Sequence, residues 1–336
     1  MNPSILDIET GFAPREALDN PAWSAVLDYH VYDKWPGWLR RLEEKLRLDL
    51  GLAIAARRMG GDFDIIWCWS EKVGIPLSFM GVRKPMIVVC HHPSSRYRKL
   101  LARFARVAEG WAGVGYVSDD DKEVLLSQYH VANERLFRIL SAPLDRFPPP
   151  CNVTGGPIIS LGVAKRDYAT LIAALEQLPG RETEIYTSSL YGDRLRGSWG
   201  RPTPSWVHRM DRVADDELTQ RYRRSRFVVL PLLDTTHSSA GSTVALEAGA
   251  AGKAIIATRT FGTPTFVKDG ETGILVPPYD VAAWRDAIEL LWCHPDLAYE
   301  MGCAGRKYVE AAFDPAKMHE RIGEIVQSLA AGTRCR

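Results

Sequence analysis

Apolar residues follow two rhythms along this chain. Continuous runs such as DIIWCW (64–69), PMIVVCHH (85–92) and GVGYVS (113–118) predict strands buried on both faces. Around them, apolar positions recur every three or four residues. Leu39, Leu42, Leu46, Leu50 and Ile54 keep that spacing while Arg40, Arg41, Glu44 and Lys45 fall elsewhere on the wheel, which predicts one core-packing helix over 37–58. The second half repeats the alternation with strand 158–162, helix 168–178, strand 183–188, helix 215–225 and strand 227–233. A helix opening near 241, strand 254–258 and helical sequence from about 281 complete it. Such alternation builds parallel sheets with helices on both faces. The fold class is therefore α/β, with two doubly wound domains separated by the proline- and glycine-rich stretch DRFPPPCNVTGGP (145–157).

Length agrees, since 336 residues suit two domains of about 150 each. The balance of 42 basic against 41 acidic residues argues against a general nucleic-acid binder. An anionic partner must instead be met by a local patch. Six scattered cysteines with no C-x-x-C pair suit reduced thiols in a cytoplasm. The N-terminus has no basic region followed by an apolar stretch, and no apolar run is long enough to span a bilayer, so a soluble or peripheral protein is expected.

Three loops of the second half follow the carboxyl ends of strands, where open α/β sheets bind ligands. In LGVAKRDY, Gly162 permits a turn, and Lys165 and Arg166 offer two cations to phosphate; a solvated turn is the alternative. RMDRVADDEL (209–218) suits the lip of a base or ribose site. In HSSAGSTVALEAGAAGKAIIAT (237–258), Gly241, Ser242 and Thr243 open a helix whose first N–H groups and hydroxyls can meet a diphosphate. Glu247, further along that helix, suits a sugar hydroxyl. The alternative is a small-residue helix packed on a sheet, with Glu247 at its solvent edge.

In the first half, His91, between Cys90 and His92 at a strand end, suits contact with a reacting sugar or its acceptor, though a histidine pair is also an ordinary strand end. The triplet Asp119, Asp120 and Asp121 invites a metal site, but Ser118 followed three residues later by Asp121 ahead of KEVLL predicts a helix cap. Arg96, Lys99, Arg103 and Arg106 share one helical face while Leu100, Leu101, Phe104 and Val107 occupy another. That face fits an anionic membrane, an acidic acceptor or plain solvent.

These residues together resemble the retaining glycosyltransferases of family 4. The resemblance is carried by LGVAKRDYATLIAAL, DELTQRYRRSRFVVLPL, GSTVALEAGAAGKAIIAT, GTPTFVKDGETGILVPPYD and FDPAKMHERIGEIV, in family order over roughly 156–330. FDIIWCW, VVCHH, YVSDDDKEVL and APLDRF extend it over 63–147. It implies the GT-B architecture: two Rossmann-like domains facing each other across a cleft, an acceptor-side domain over 1–147, a nucleotide-sugar domain over 156–312, and a helix over 313–336 crossing back to the first. It implies that Glu247 holds the donor ribose and that Gly241, Ser242 and Thr243 meet the diphosphate, with Gly162 at the loop. Arg166, with Lys165, stands for the phosphate-binding lysine, Arg212 and Val213 flank the nucleobase, and His91 lies near the transferred sugar.

The sequence departs from the family pattern at definite positions. Ser239 stands where the first glutamate contacts the donor sugar, Val163 where a phosphate-binding arginine is usual, and Thr265 where an acid is common. The N-terminus lacks the usual opening strand with a double-glycine loop, Gly11 after ILDIET being a reduced version of it. The expectation is transfer of a sugar from a nucleotide-sugar donor to an acceptor hydroxyl with retention and no metal ion, in the cytoplasm or at the inner membrane face. A catalytically silent GT-B subunit and a GT-B nucleotide-sugar epimerase are the alternatives. A nicotinamide oxidoreductase is disfavoured because no G-x-G-x-x-G follows a strand.

Overall fold

The computed structural model describes residues 5–8, 23–27, 36–94, 107–162, 165–186, 203–211, 213–234 and 239–334. The chain divides into two compact units, Met1–Ile139 with Ala316–Arg336, and Leu140–Pro315.

The described part of the first unit contains strands β1 (Ile5–Ile8), β2 (Trp23–Leu27), β3 (Ile65–Cys68), β4 (Met86–Cys90), β5 (Trp111–Tyr116) and β6 (Leu136–Arg138). They form one sheet in the order β2-β1-β3-β4-β5-β6, every neighbouring pair parallel. Every residue of β3 and β4 is buried, as their unbroken apolar runs require of strands covered on both faces. The ILDI segment corrects the expectation of a missing opening strand: β1 pairs with both β2 and β3. Gly11 lies outside the described residues.

Helices α1 (Gly37–Leu46), α2 (Leu50–Met59), α3 (Glu71–Phe79) and α4 (Asp119–Gln128) lie in the N-terminal stretch of this unit. The single helix expected over 37–58 is two. Arg47 takes a left-handed conformation, φ 52°, and ends α1, after which the Glu43 side chain accepts the Gly51 N–H at 2.7 Å and helps start α2. Ser118 and Asp121 cap α4 reciprocally, each side chain accepting the other's backbone N–H, at 3.2 and 3.1 Å.

The second unit contains β7 (Ile158–Leu161), α5 (Tyr168–Leu175), β8 (Thr183–Tyr186), β9 (Val207–Met210), α6 (Asp215–Arg224), β10 (Val228–Leu230), α7 (Ser242–Ala250), β11 (Ile255–Thr258), α8 (Thr263–Phe266), β12 (Gly273–Val276), α9 (Val281–Cys293) and α10 (Pro295–Ala312). Its sheet is also parallel throughout, in the order β12-β11-β10-β7-β8-β9. This is the Rossmann order.

Both boundaries differ in detail from those expected. Residues 140–147 group with the second unit because their contacts lie there: the Ala142 N–H donates to the Phe313 carbonyl at 2.8 Å, Arg306 donates to the Phe147 carbonyl, and the Phe147 ring meets Tyr222 edge-on. The last helix, α11 (Pro315–Arg334), has all but its first residue in the first unit. There Ile325 is buried and packs over Gly113 of β5, whose missing side chain leaves it room.

Candidate functional site

The second sheet reverses its winding between β7 and β10, and the carboxyl ends of strands at such a point leave a crevice for ligand. Beyond β7, Gly162 adopts φ 92°, and the Arg166 guanidinium lies against it: a Cβ on Gly162 would sit 2.5 Å from Nη2. Arg166 Nε donates to the Leu161 carbonyl at 3.0 Å, and the Tyr168 hydroxyl donates to the Gly162 carbonyl at 2.6 Å. Burial pulls the Arg166 guanidinium below its ordinary pKa, with Tyr168 and Tyr222 opposing the shift. The two expected cations therefore differ. Arg166 is 7% exposed, whereas Lys165 stands in solvent at φ 56° and offers its carbonyl to the Leu233 N–H. Asp167 caps α5 through Thr170 and fixes where this loop ends.

Beyond β10 the chain returns to Gly241, whose φ of 82° starts α7 and whose missing side chain admits Leu230, the last residue of β10. The first-turn N–H groups of Thr243 and Val244 have no earlier helical carbonyl to bond and carry the positive end of the helix dipole. Ser239, half-buried, accepts the Ser242 N–H through its carbonyl at 3.4 Å. Val213 is half-buried at the start of the segment leading into α6; Arg212 and Val163 lie outside the described residues.

Glu247 is not at a solvent edge. It is 9% exposed, accepts the Tyr222 hydroxyl on Oε2 at 2.8 Å, and has Arg146 Nη1 at 3.9 Å from Oε1. Tyr222 is wholly buried, edge-on to Phe147, and burial followed by the Glu247 carboxylate drives its pKa well above the ordinary value. Behind it, Lys253 Nζ donates to the carbonyls of Arg223 and Ser225 at 3.0 and 2.9 Å, closing the end of α6. Sequence reasoning missed Tyr222 and Arg146. The available signal was a lone aromatic in the charge-rich DDELTQRYRR. Thr265, in place of an acid, is buried, and its carbonyl accepts the Tyr308 hydroxyl.

In the first unit, His91 follows the carboxyl end of β4 with its ring Nε2 donating to the Trp69 carbonyl at 2.9 Å. The buried Glu71 carboxylate accepts the N–H groups of both His91 and His92, at 2.9 and 3.0 Å, which fixes this turn of chain. Glu71 was also not foreseen. Arg96, Lys99, Arg103 and Arg106 all lie outside the described residues. Among the described residues no cluster of three or more His, Cys, Asp and Glu is arranged as a metal site, and no helix is long and apolar enough to cross a membrane.

Residues 163–294, which span most of this crevice, match the family of glycosyl transferases group 1. A D-inositol 3-phosphate glycosyltransferase of Corynebacterium diphtheriae is 32% identical over 119 residues, 35% of this chain and about a quarter (27%) of that relative's length. The D-rhamnosyltransferase WbpZ of Pseudomonas aeruginosa is 27% identical over 77% of this chain and 74% of its own. Among solved structures, Anabaena HepE in complex with UDP-glucose superposes with a TM-score of 0.72 over 97% of this chain and 100% of its own, at 17% identity. That likeness bears on the fold.

Proposed function

We propose that this chain, whose residues 163–294 match the family of glycosyl transferases group 1 and whose two parallel-sheet units have the GT-B fold, moves a sugar from a nucleoside diphosphate donor to an acceptor hydroxyl with retention of anomeric configuration. The observation that carries this reading is the pairing, at one sheet reversal, of a cation on a glycine turn (Arg166 on Gly162) with a helix start (Gly241, Ser242, Thr243) and a buried carboxylate (Glu247). Diphosphate oxygens suit the first two, and ribose hydroxyls suit the third.

In the proposed reaction the bond from the anomeric carbon to the diphosphate breaks, and the bond to the acceptor oxygen forms on the same face. The acceptor proton passes to the departing diphosphate. Arg166 and the helix N–H groups are placed before the reaction begins, so the charge growing on the leaving group is met without reorganisation, a term of several kcal/mol in such sites. In this reading that charge is met by protein groups, with no metal ion required. His91 is assigned to the transferred sugar, Lys165 to the outer phosphate, and Arg212 with Val213 to the base. Because HepE is in complex with UDP-glucose, UDP-sugars are the first donors to try. The acceptor is a glycan, a glycolipid or a small molecule. Arg96, Lys99, Arg103 and Arg106 are assigned to an anionic membrane that presents it to a cytoplasmic enzyme.

Ser239 favours a second reading, a sugar-nucleotide-binding subunit without turnover, or an epimerase, since it removes the acid that contacts the donor sugar. Proton NMR of the first-formed product from an α-linked donor separates these. An α linkage is expected; a β linkage overturns retention, and donor consumption without an acceptor favours the epimerase.

A further inference from the structure

Tyr222 reaches the candidate site from α6, although none of it reaches solvent. Its hydroxyl donates to Glu247 Oε2 at 2.8 Å, and Arg166 and Arg146 both lie near enough to act electrostatically on that same hydroxyl. Phe147 packs edge-on against the ring at 5.4 Å, and Lys253 holds the end of the helix that carries it at the carbonyls of Arg223 and Ser225. A carboxylate has two oxygens and about four acceptor positions. Oε2 is engaged by the buried Tyr222 hydroxyl, and Oε1 is the oxygen turned toward Arg146.

Resting on the nucleotide reading above, we propose that Tyr222 is a positioning residue which locks the Glu247 carboxylate in the orientation that receives the donor's ribose hydroxyls. It touches no substrate itself. Its contribution passes through Glu247 and should depend on the ligand having ribose hydroxyls.

The test is titration calorimetry on the full chain. The probe is whichever of UDP, GDP and ADP binds most tightly, used beside its 2′,3′-dideoxy analogue. Wild type, Tyr222→Phe, Glu247→Gln and the double variant are compared, with urea unfolding run without ligand to follow folding. Tyr222→Phe is expected to weaken the ribonucleotide about tenfold, the size of a hydrogen bond to a charged group, and to leave the dideoxy analogue's affinity unchanged. In the Glu247→Gln background the same substitution should cost little more. Equal losses for both ligands, or no loss for either, overturn the positioning role while leaving the nucleotide site in place. Should wild type bind none of the three nucleotides, the nucleotide reading fails and the proposal with it. If Tyr222→Phe unfolds, Glu247→Gln alone decides: an equal loss for both ligands contradicts the ribose contact through which Tyr222 acts.

Discussion

Gly302 of α10 lies so close to Gly252 that a Cβ on it would overlap the Gly252 carbonyl oxygen. Gly252 itself, at φ 63°, turns the chain out of α7, and a Cβ on Gly249 would meet Val309 of α10 at 2.6 Å. The small residues of 241–254 therefore serve different neighbours: Gly241 opens the helix beside the crevice, Gly249 lets α10 lie against its back, and Gly252 leaves room for Pro150, which a Cβ there would meet at 2.4 Å. Gly302→Ala should lower stability by about 1–3 kcal/mol, the cost of overpacking where backbone must yield. Urea unfolding measures it, and an unchanged midpoint contradicts the packing.

Arg47 occupies a left-handed position between α1 and α2, where a side chain costs about 1–2 kcal/mol and glycine costs far less. Part of that gain is offset by the greater freedom of glycine in the unfolded chain. The net prediction for Arg47→Gly is a modest rise, about 0.5–1 kcal/mol, seen as a higher thermal midpoint. A lower midpoint would show that the Arg47 side chain has contacts worth more than the strain.

Much of this architecture was legible in sequence because its signals are local. The capping box at Ser118 and Asp121 needs only four residues, and the buried strands β3 and β4 announce themselves as unbroken apolar runs. The break at Arg47 was not legible, because Leu39 to Ile54 keep a helical rhythm across it. The strand β1 was missed because its four residues gain their place only by pairing with β2 and β3. In the site, Gly241 and Glu247 share a motif and were read together. Tyr222 and Arg146 reach Glu247 from 25 and 101 residues away, a relation created by folding alone.

Alkaline pH should unfold the protein through its buried tyrosines. Burial raises the pKa of Tyr116, Tyr168, Tyr186 and Tyr222 above 10.0. Their contribution is complete below pH 10; above it the unfolded chain gives up protons that the folded chain keeps, so stability falls. Lys253 acts in the other sense, since burial lowers its pKa from 10.5, and stability is regained as pH rises toward that value. Urea midpoints between about pH 9 and 11 should thus decline above pH 10, less steeply in Tyr222→Phe. Identical slopes in the two proteins would remove Tyr222 from the titration.

The proposed function requires the reversal between β7 and β10 to hold a nucleoside diphosphate, with Glu247 on its ribose. Calorimetric titration of UDP, GDP and ADP into wild type and Glu247→Gln decides it. At least one nucleotide is expected to bind wild type and to bind Glu247→Gln about 1.5–3 kcal/mol more weakly, with the fold intact by urea unfolding. Binding of none of the three, or equal affinity in both proteins, contradicts it.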